Sequence, residues 1–253
     1  MALVRPDHLP PPGWRRYAEG LSLWSRAWKS FGHLHPRGPA DGPKVMVVPG
    51  FLATDRTTLG LRRALADAGY RVAGWGLGFN GGAKADTLER LVGAAERFGA
   101  GDKVLLVGWS LGGVFAREAA KLRPDIVEGV VTMGSPFSGD PRGNNVWRLY
   151  EWYAGHPVDK PPLEVSLSGK PPVPTLALWS RRDGIVAPAC ARGEDHERDG
   201  HEELDCTHMG FAVSARAYPA IIRAIESLRG TAPRPPAGHG QGGPPPDPES
   251  PTK

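Results

Sequence analysis

The chain has 253 residues and a formal net charge of +4, with 40% hydrophobic and 23% charged residues, the balance of a protein that buries one sizeable core. Its basic residues are scattered, and no stretch approaches the roughly 20 apolar residues that span a bilayer, so neither a nucleic-acid binder nor an integral membrane protein is indicated. The first residues, 1–12, are proline-rich and lack the apolar core of a secretory signal, and the expected location is cytoplasmic.

In chain order, the first predicted element is a helix on which Trp14, Tyr17, Leu21, Trp24, Trp28 and Phe31 share one stripe at gaps of three and four. Arg15, Arg16, Arg26 and Lys29 fall largely off that stripe. A helix docked on its own domain explains this better than one lying on a membrane surface, since most amphipathic helices pack on their own core. From 44 to 230 strand-like and helix-like runs alternate. Strands are predicted at 45–48, 70–76, 103–107, 127–133, 175–180 and, more weakly, 202–206. Helices are predicted at 56–69, with a glycine cap, and at 85–98, 112–122 and 214–229. The stretch 193–203 reads as a charged, solvated loop. This alternation implies an α/β domain with a mostly parallel sheet and helices on both faces. The expected organisation is an N-terminal arm over 1–43, the α/β domain over 44–230 with an insertion at about 137–173, and a Pro/Gly-rich tail over 231–253 too poor in apolar residues to fold.

Two cysteines, Cys190 and Cys206, show no metal-ligand spacing. A disulfide between them would close a loop of about 15 residues, worth roughly 3 kcal/mol in the chain-entropy model; two free thiols are the alternative.

The chemistry is carried by Gly108-Trp109-Ser110-Leu111-Gly112, which follows the apolar run 103–107 and opens a helix-like stretch. Gly-x-Ser-x-Gly between a strand and a helix is the context of a nucleophile elbow, whose sharp turn needs small neighbours so that the serine hydroxyl stands clear. Serine is a weak nucleophile at neutral pH and needs a base, itself oriented by an acid. Of eight histidines, His208 directly follows the last strand-like run and completes the chain order serine–acid–histidine, making it the candidate base. Asp183, in the turn after the 175–180 strand, is the candidate acid; Asp205 competes but sits within a predicted strand only three residues before His208. The oxyanion needs amide donors, for which Leu111 N–H, at a helix N-terminus, and Phe51 N–H, in the loop after the first core strand, are the candidates.

On these residues the chain resembles the α/β-hydrolase superfamily, close in motif to bacterial lipases and esterases. The resemblance rests on Pro49-Gly50-Phe51, Gly108-Trp109-Ser110-Leu111-Gly112-Gly113, Gly134-Ser135-Pro136, Asp183-Gly184-Ile185-Val186 and Thr207-His208-Met209-Gly210. It implies, in that order, an oxyanion loop, a nucleophile elbow, a strand-end turn, an acid loop and a histidine loop. Two departures stand out: Pro49-Gly50 where relatives often carry His-Gly, and Trp109 where the elbow often has histidine. The insertion, with the apolar-rich run Val146-Trp147-Arg148-Leu149-Tyr150-Glu151-Trp152-Tyr153, resembles a cap lining the pocket above the nucleophile.

The expected activity is therefore hydrolysis of carboxylic esters, small or lipid-like, through an acyl-enzyme, with no cofactor or metal. Peripheral membrane contact is not expected. An acyltransferase using the same triad and a non-catalytic binding protein of this fold are the alternatives. A dinucleotide-binding fold lacks support, because no Gly-x-Gly-x-x-Gly opens the first helix.

Overall fold

Runs such as Val-Met-Val-Val and Val-Leu-Leu-Val leave no polar face for water, so they belong where both sides of a strand are covered. In the computed structural model, which describes residues 36–139 and 169–231 and positions 151, 155, 157, 159 and 162, they form the centre of a sheet. Among the described residues the sheet comprises β1 (Lys44–Val48), β2 (Arg71–Gly74), β3 (Val104–Trp109), β4 (Val127–Met133), β5 (Thr175–Trp179) and β6 (Gly200–Glu203). Their spatial order is β2-β1-β3-β4-β5-β6, and every neighbouring pair is parallel. The chain steps outward from β1 to β2, then crosses back to β3. That reversal leaves a crevice outside the carboxyl ends of β1 and β3, the place where ligands bind on such sheets.

The period-two alternation of strand side chains sends Val45, Val47, Leu105 and Val107 to one face and Met46, Val48, Val104 and Leu106 to the other. The first face is covered by α1 (Leu59–Asp67), α5 (His208–Val213) and α6 (Tyr218–Thr231), through Leu61, Leu65, Phe211, Ile221 and Ile225. The second is covered by α2 (Thr87–Gly99) and α3 (Leu111–Leu122), through Leu88, Leu91, Phe115 and Ala119. A short helix, α4 (Pro188–Arg192), follows the loop after β5. Helix α1 ends where Gly69 takes φ +93° and returns its N–H to Ala66 O at 3.0 Å, the closure expected of the glycine there.

The C-terminal third departs from the sequence expectation. The stretch 193–203 is not a solvated loop: it holds a 3₁₀ turn (Asp195–Glu197), in which Glu197 is buried, and then the edge strand β6. An edge strand needs no apolar run, because one side of it meets water and backbone pairing to β5 holds the other. The predicted strand at 202–206 therefore lies two residues earlier. The predicted helix 214–229 corresponds to α6, which begins only at Tyr218, and a further short helix, α5, precedes it from His208. Cys190 and Cys206 are buried and are not joined in a disulfide. The 14–31 helix, most of the 137–173 insertion and the tail beyond 231 lie outside the described residues. No described helix is long and apolar enough to cross a membrane.

Leu106 is fully buried between β1 and β4 with α2 and α3 above it. Leu106→Ala is expected to lower the unfolding free energy by about 2–5 kcal/mol, measured by urea titration.

Candidate active site

Between β3 and α3 there is a single residue, Ser110, and it makes the whole turn. Its φ of 55° and ψ of −126° lie where a side-chain-bearing residue is strained, at about 1–3 kcal/mol. Two bonds hold it there: Ser110 N–H donates to Met133 O, and Ser110 O accepts from Gly113 N–H, both at 2.9 Å. The turn is also too tight for side chains beside it. A Cβ on Gly108 would lie 2.3 Å from Gly113 Cα, and one on Gly112 would lie 2.4 Å from Val48 O. Both glycines of the motif are thus required by backbone contact.

The candidate acid and base meet at the same end of the sheet. His208 Nδ1 lies 2.8 Å from Asp183 Oδ2, and both side chains are buried. Asp183 Oδ1 accepts N–H bonds from Ile185 and Val186 at 2.8 Å each, so the carboxylate is fixed in direction. A carboxylate can only accept, which puts the proton on Nδ1 and leaves the lone pair on Nε2 of the neutral ring. Asp205, the competing acid, is exposed and pairs with Arg182 at 3.0 Å. The pair rests on Gly134, at φ +55°, where a Cβ would come within 2.9 Å of Asp183 Oδ2 and 3.2 Å of His208 Nδ1. Gly134 directly follows Met133, whose carbonyl holds the Ser110 amide, so Ser110, Asp183 and His208 cluster around the end of β4.

The loop after β1 runs alongside. A Cβ on Gly50 would be 3.0 Å from Ser110 Cβ and 3.2 Å from Trp109 O. That close approach brings Pro49-Gly50-Phe51 beside Ser110, while Leu111 opens α3, where the first N–H groups have no acceptor within the helix. Among the described residues no group of three or more His, Cys, Asp or Glu could hold a metal ion.

Three positioning residues escaped the sequence reading. Trp109 donates its indole N–H to His208 O at 3.0 Å, and its ring lies 5.5 Å from the imidazole, so the residue before Ser110 anchors His208. Ser180 Oγ donates to Cys206 O at 2.6 Å and accepts from Arg182 N–H at 3.0 Å, tying the acid loop to the histidine loop. Buried Asn80 donates Nδ2 to Pro49 O at 2.8 Å, accepts at its backbone carbonyl from Leu52 N–H at 2.8 Å, and donates its backbone N–H to Ala53 O at 2.9 Å. Behind this loop Asp55 accepts from the N–H groups of Trp75 and Gly76 at 3.0 Å each. Burial pushes its carboxyl above the usual range, against the Gly76 N–H and the Arg62 charge.

No family model and no curated protein match the chain. Solved structures do. A metagenome-derived lipolytic enzyme superposes with a TM-score of 0.56 at 19% identity, covering 78% of this chain and 96% of that one. The carboxylesterase CesB of Bacillus subtilis gives 0.55 at 14% identity, over 84% and 97% of the two chains. An α/β-hydrolase enzyme from the metagenome of the Mar Chica lagoon sediments gives 0.54 at 19%, over 80% and 98%. The chain has the α/β-hydrolase fold. Within this fold, the Trp109 side chain holds His208 O, and the Asn80 side chain holds Pro49 O while accepting from Gly82 N–H at 3.2 Å. Trp109→Phe and Asn80→Ala are each expected to lower the unfolding free energy by about 1–3 kcal/mol in urea titrations, because a buried carbonyl is left without its donor.

Proposed function

We propose that the protein is a serine hydrolase of carboxylic esters acting through an acyl-enzyme, with Ser110 as nucleophile, His208 as base and Asp183 as orienting acid. The observation that carries this reading is the buried His208–Asp183 bond of 2.8 Å, made beside a serine in a strained strand-to-helix turn. Strain of that kind persists at functional sites because the surroundings impose it. The similarity to structures of a lipolytic enzyme and a carboxylesterase supports the same reading.

In this mechanism Ser110 Oγ attacks the ester carbonyl carbon as its proton passes to His208 Nε2. The carbonyl oxygen gains the electron pair and takes hydrogen bonds from the N–H groups of Phe51 and Leu111, aided by the positive end of α3. Collapse of the tetrahedral intermediate breaks the ester C–O bond, and the imidazolium gives its proton to the departing alkoxide. Water, deprotonated by His208, then attacks the acyl-enzyme and regenerates the serine. Asp183 keeps its charge throughout and stabilises the imidazolium. The substrate is a small-molecule or lipid-like ester, and no cofactor is required.

The purified protein is expected to hydrolyse nitrophenyl esters and to be labelled at Ser110 by a fluorophosphonate. Ser110→Ala should abolish labelling and lower kcat by on the order of 10⁴–10⁶ with the fold intact by circular dichroism. Turnover that survives in Ser110→Ala, or wild-type protein inert toward every ester chain length, overturns the reading.

A further inference from the structure

Among the described residues, three large apolar side chains stand in water: Leu52 at 39% exposure, Phe79 at 50% and Leu122 at 57%. Leu122 closes α3, far along the helix from Ser110. Leu52 and Phe79 occupy the loops that leave the carboxyl ends of the neighbouring strands β1 and β2. The Asn80 bonds to Pro49, Leu52 and Ala53 fasten these loops into one unit. Leu52 is two residues beyond Gly50, which touches Ser110.

The backbone of Leu52 is unusual as well. Only three non-glycine residues among those described take a positive φ: Ser110 at 55°, Ala100 at 47° and Leu52 at 58°. Ser110 is the candidate nucleophile, and Ala100 ends α2 as a left-handed cap with nothing larger than a methyl. Leu52 combines a bulky side chain, a strained backbone and exposure to water. Glycine would take that φ without strain, while 39% of the Leu52 surface is left in water. The conformation is enforced by its N–H bond to Asn80 O on one side and the Ala53 N–H bond to Gly50 O, at 3.2 Å, on the other. Residues held this way cluster at ligand clamps.

We infer that Leu52 and Phe79 form an apolar shelf beside the oxyanion loop that binds an alkyl chain of the ester substrate and sets chain-length preference. The inference rests on the ester-hydrolase reading and adds the specificity element to it. The chain belongs to either the acyl or the alcohol part of the ester, since both leave the reacting carbon next to this loop.

The test compares wild type, Leu52→Gly and Phe79→Ala on nitrophenyl acetate against nitrophenyl octanoate, and on ethyl acetate against octyl acetate. The octanoate-to-acetate ratio of kcat/KM, or the octyl-to-ethyl ratio, is expected to fall about tenfold or more in both variants, the scale of discrimination set by alkyl contacts in a pocket. The series in which it falls assigns the shelf to the acyl or the alcohol side. Unchanged ratios in both series, with wild-type turnover present, overturn the shelf and leave the hydrolase reading standing. Wild-type protein that turns over no ester overturns both.

Discussion

The contact between the start of α3 and the end of β1 is the constraint from which the site follows. Gly112 packs so closely on Val48 O that no side chain fits between them, and Gly108 packs likewise on Gly113. With the strand and helix pressed together, one residue must reverse the chain, and Ser110 is forced into a backbone conformation that lifts its side chain clear. The same approach brings the β1 loop against the serine, so Ser110 and the loop Pro49-Gly50-Phe51 share one crevice. Ordinary sheet twist and helix packing would not achieve this with larger residues.

Around that turn, the loops are held by single hydrogen bonds between side chains and backbone rather than by their own regular structure. Trp109 holds the carbonyl of His208, Ser180 that of Cys206, and Asn80 that of Pro49. Each is buried, and each links two segments that are distant in sequence. A buried carbonyl must find a donor, and here the donors fix loop positions while meeting that demand. Leu52 is a product of the same arrangement: Asn80 clamps its backbone in a strained form and leaves its side chain facing outward beside the crevice.

Much of this was legible in the residues. The apolar runs at 45–48, 103–107 and 127–133 announce strands because both faces are buried, and they fall close to β1, β3 and β4. The glycine spacing around Ser110 points to the tight turn because only small residues survive there. Asp183 and His208 were placed by chain order relative to the strands, and the structure brings their side chains together. The edge strand β6 was misread, since Gly-His-Glu-Glu carries no apolar pattern; its identity comes from pairing with β5. The early helix α5 was missed because His208 opens a turn of only six residues, capped by Thr207 through a 3.2 Å bond from Gly210 N–H.

What the sequence determined by itself was local: which runs exclude water on both faces, where a turn must be glycine-lined, and which residue types capable of nucleophilic chemistry follow which strands. These are properties of neighbours along the chain, and hydrophobic periodicity and backbone sterics express them directly. Tertiary structure decided what depends on distance through space. It chose Asp183 over Asp205 by burying one against His208 and exposing the other, left the two cysteines without a disulfide between them, and aimed Trp109 and Asn80 at carbonyls far away in sequence. A hydrogen bond spanning 99 residues, such as that from Trp109 to His208, has no signature in local pattern, because its partner is set only when the sheet brings the ends of β3 and the histidine loop to the same crevice.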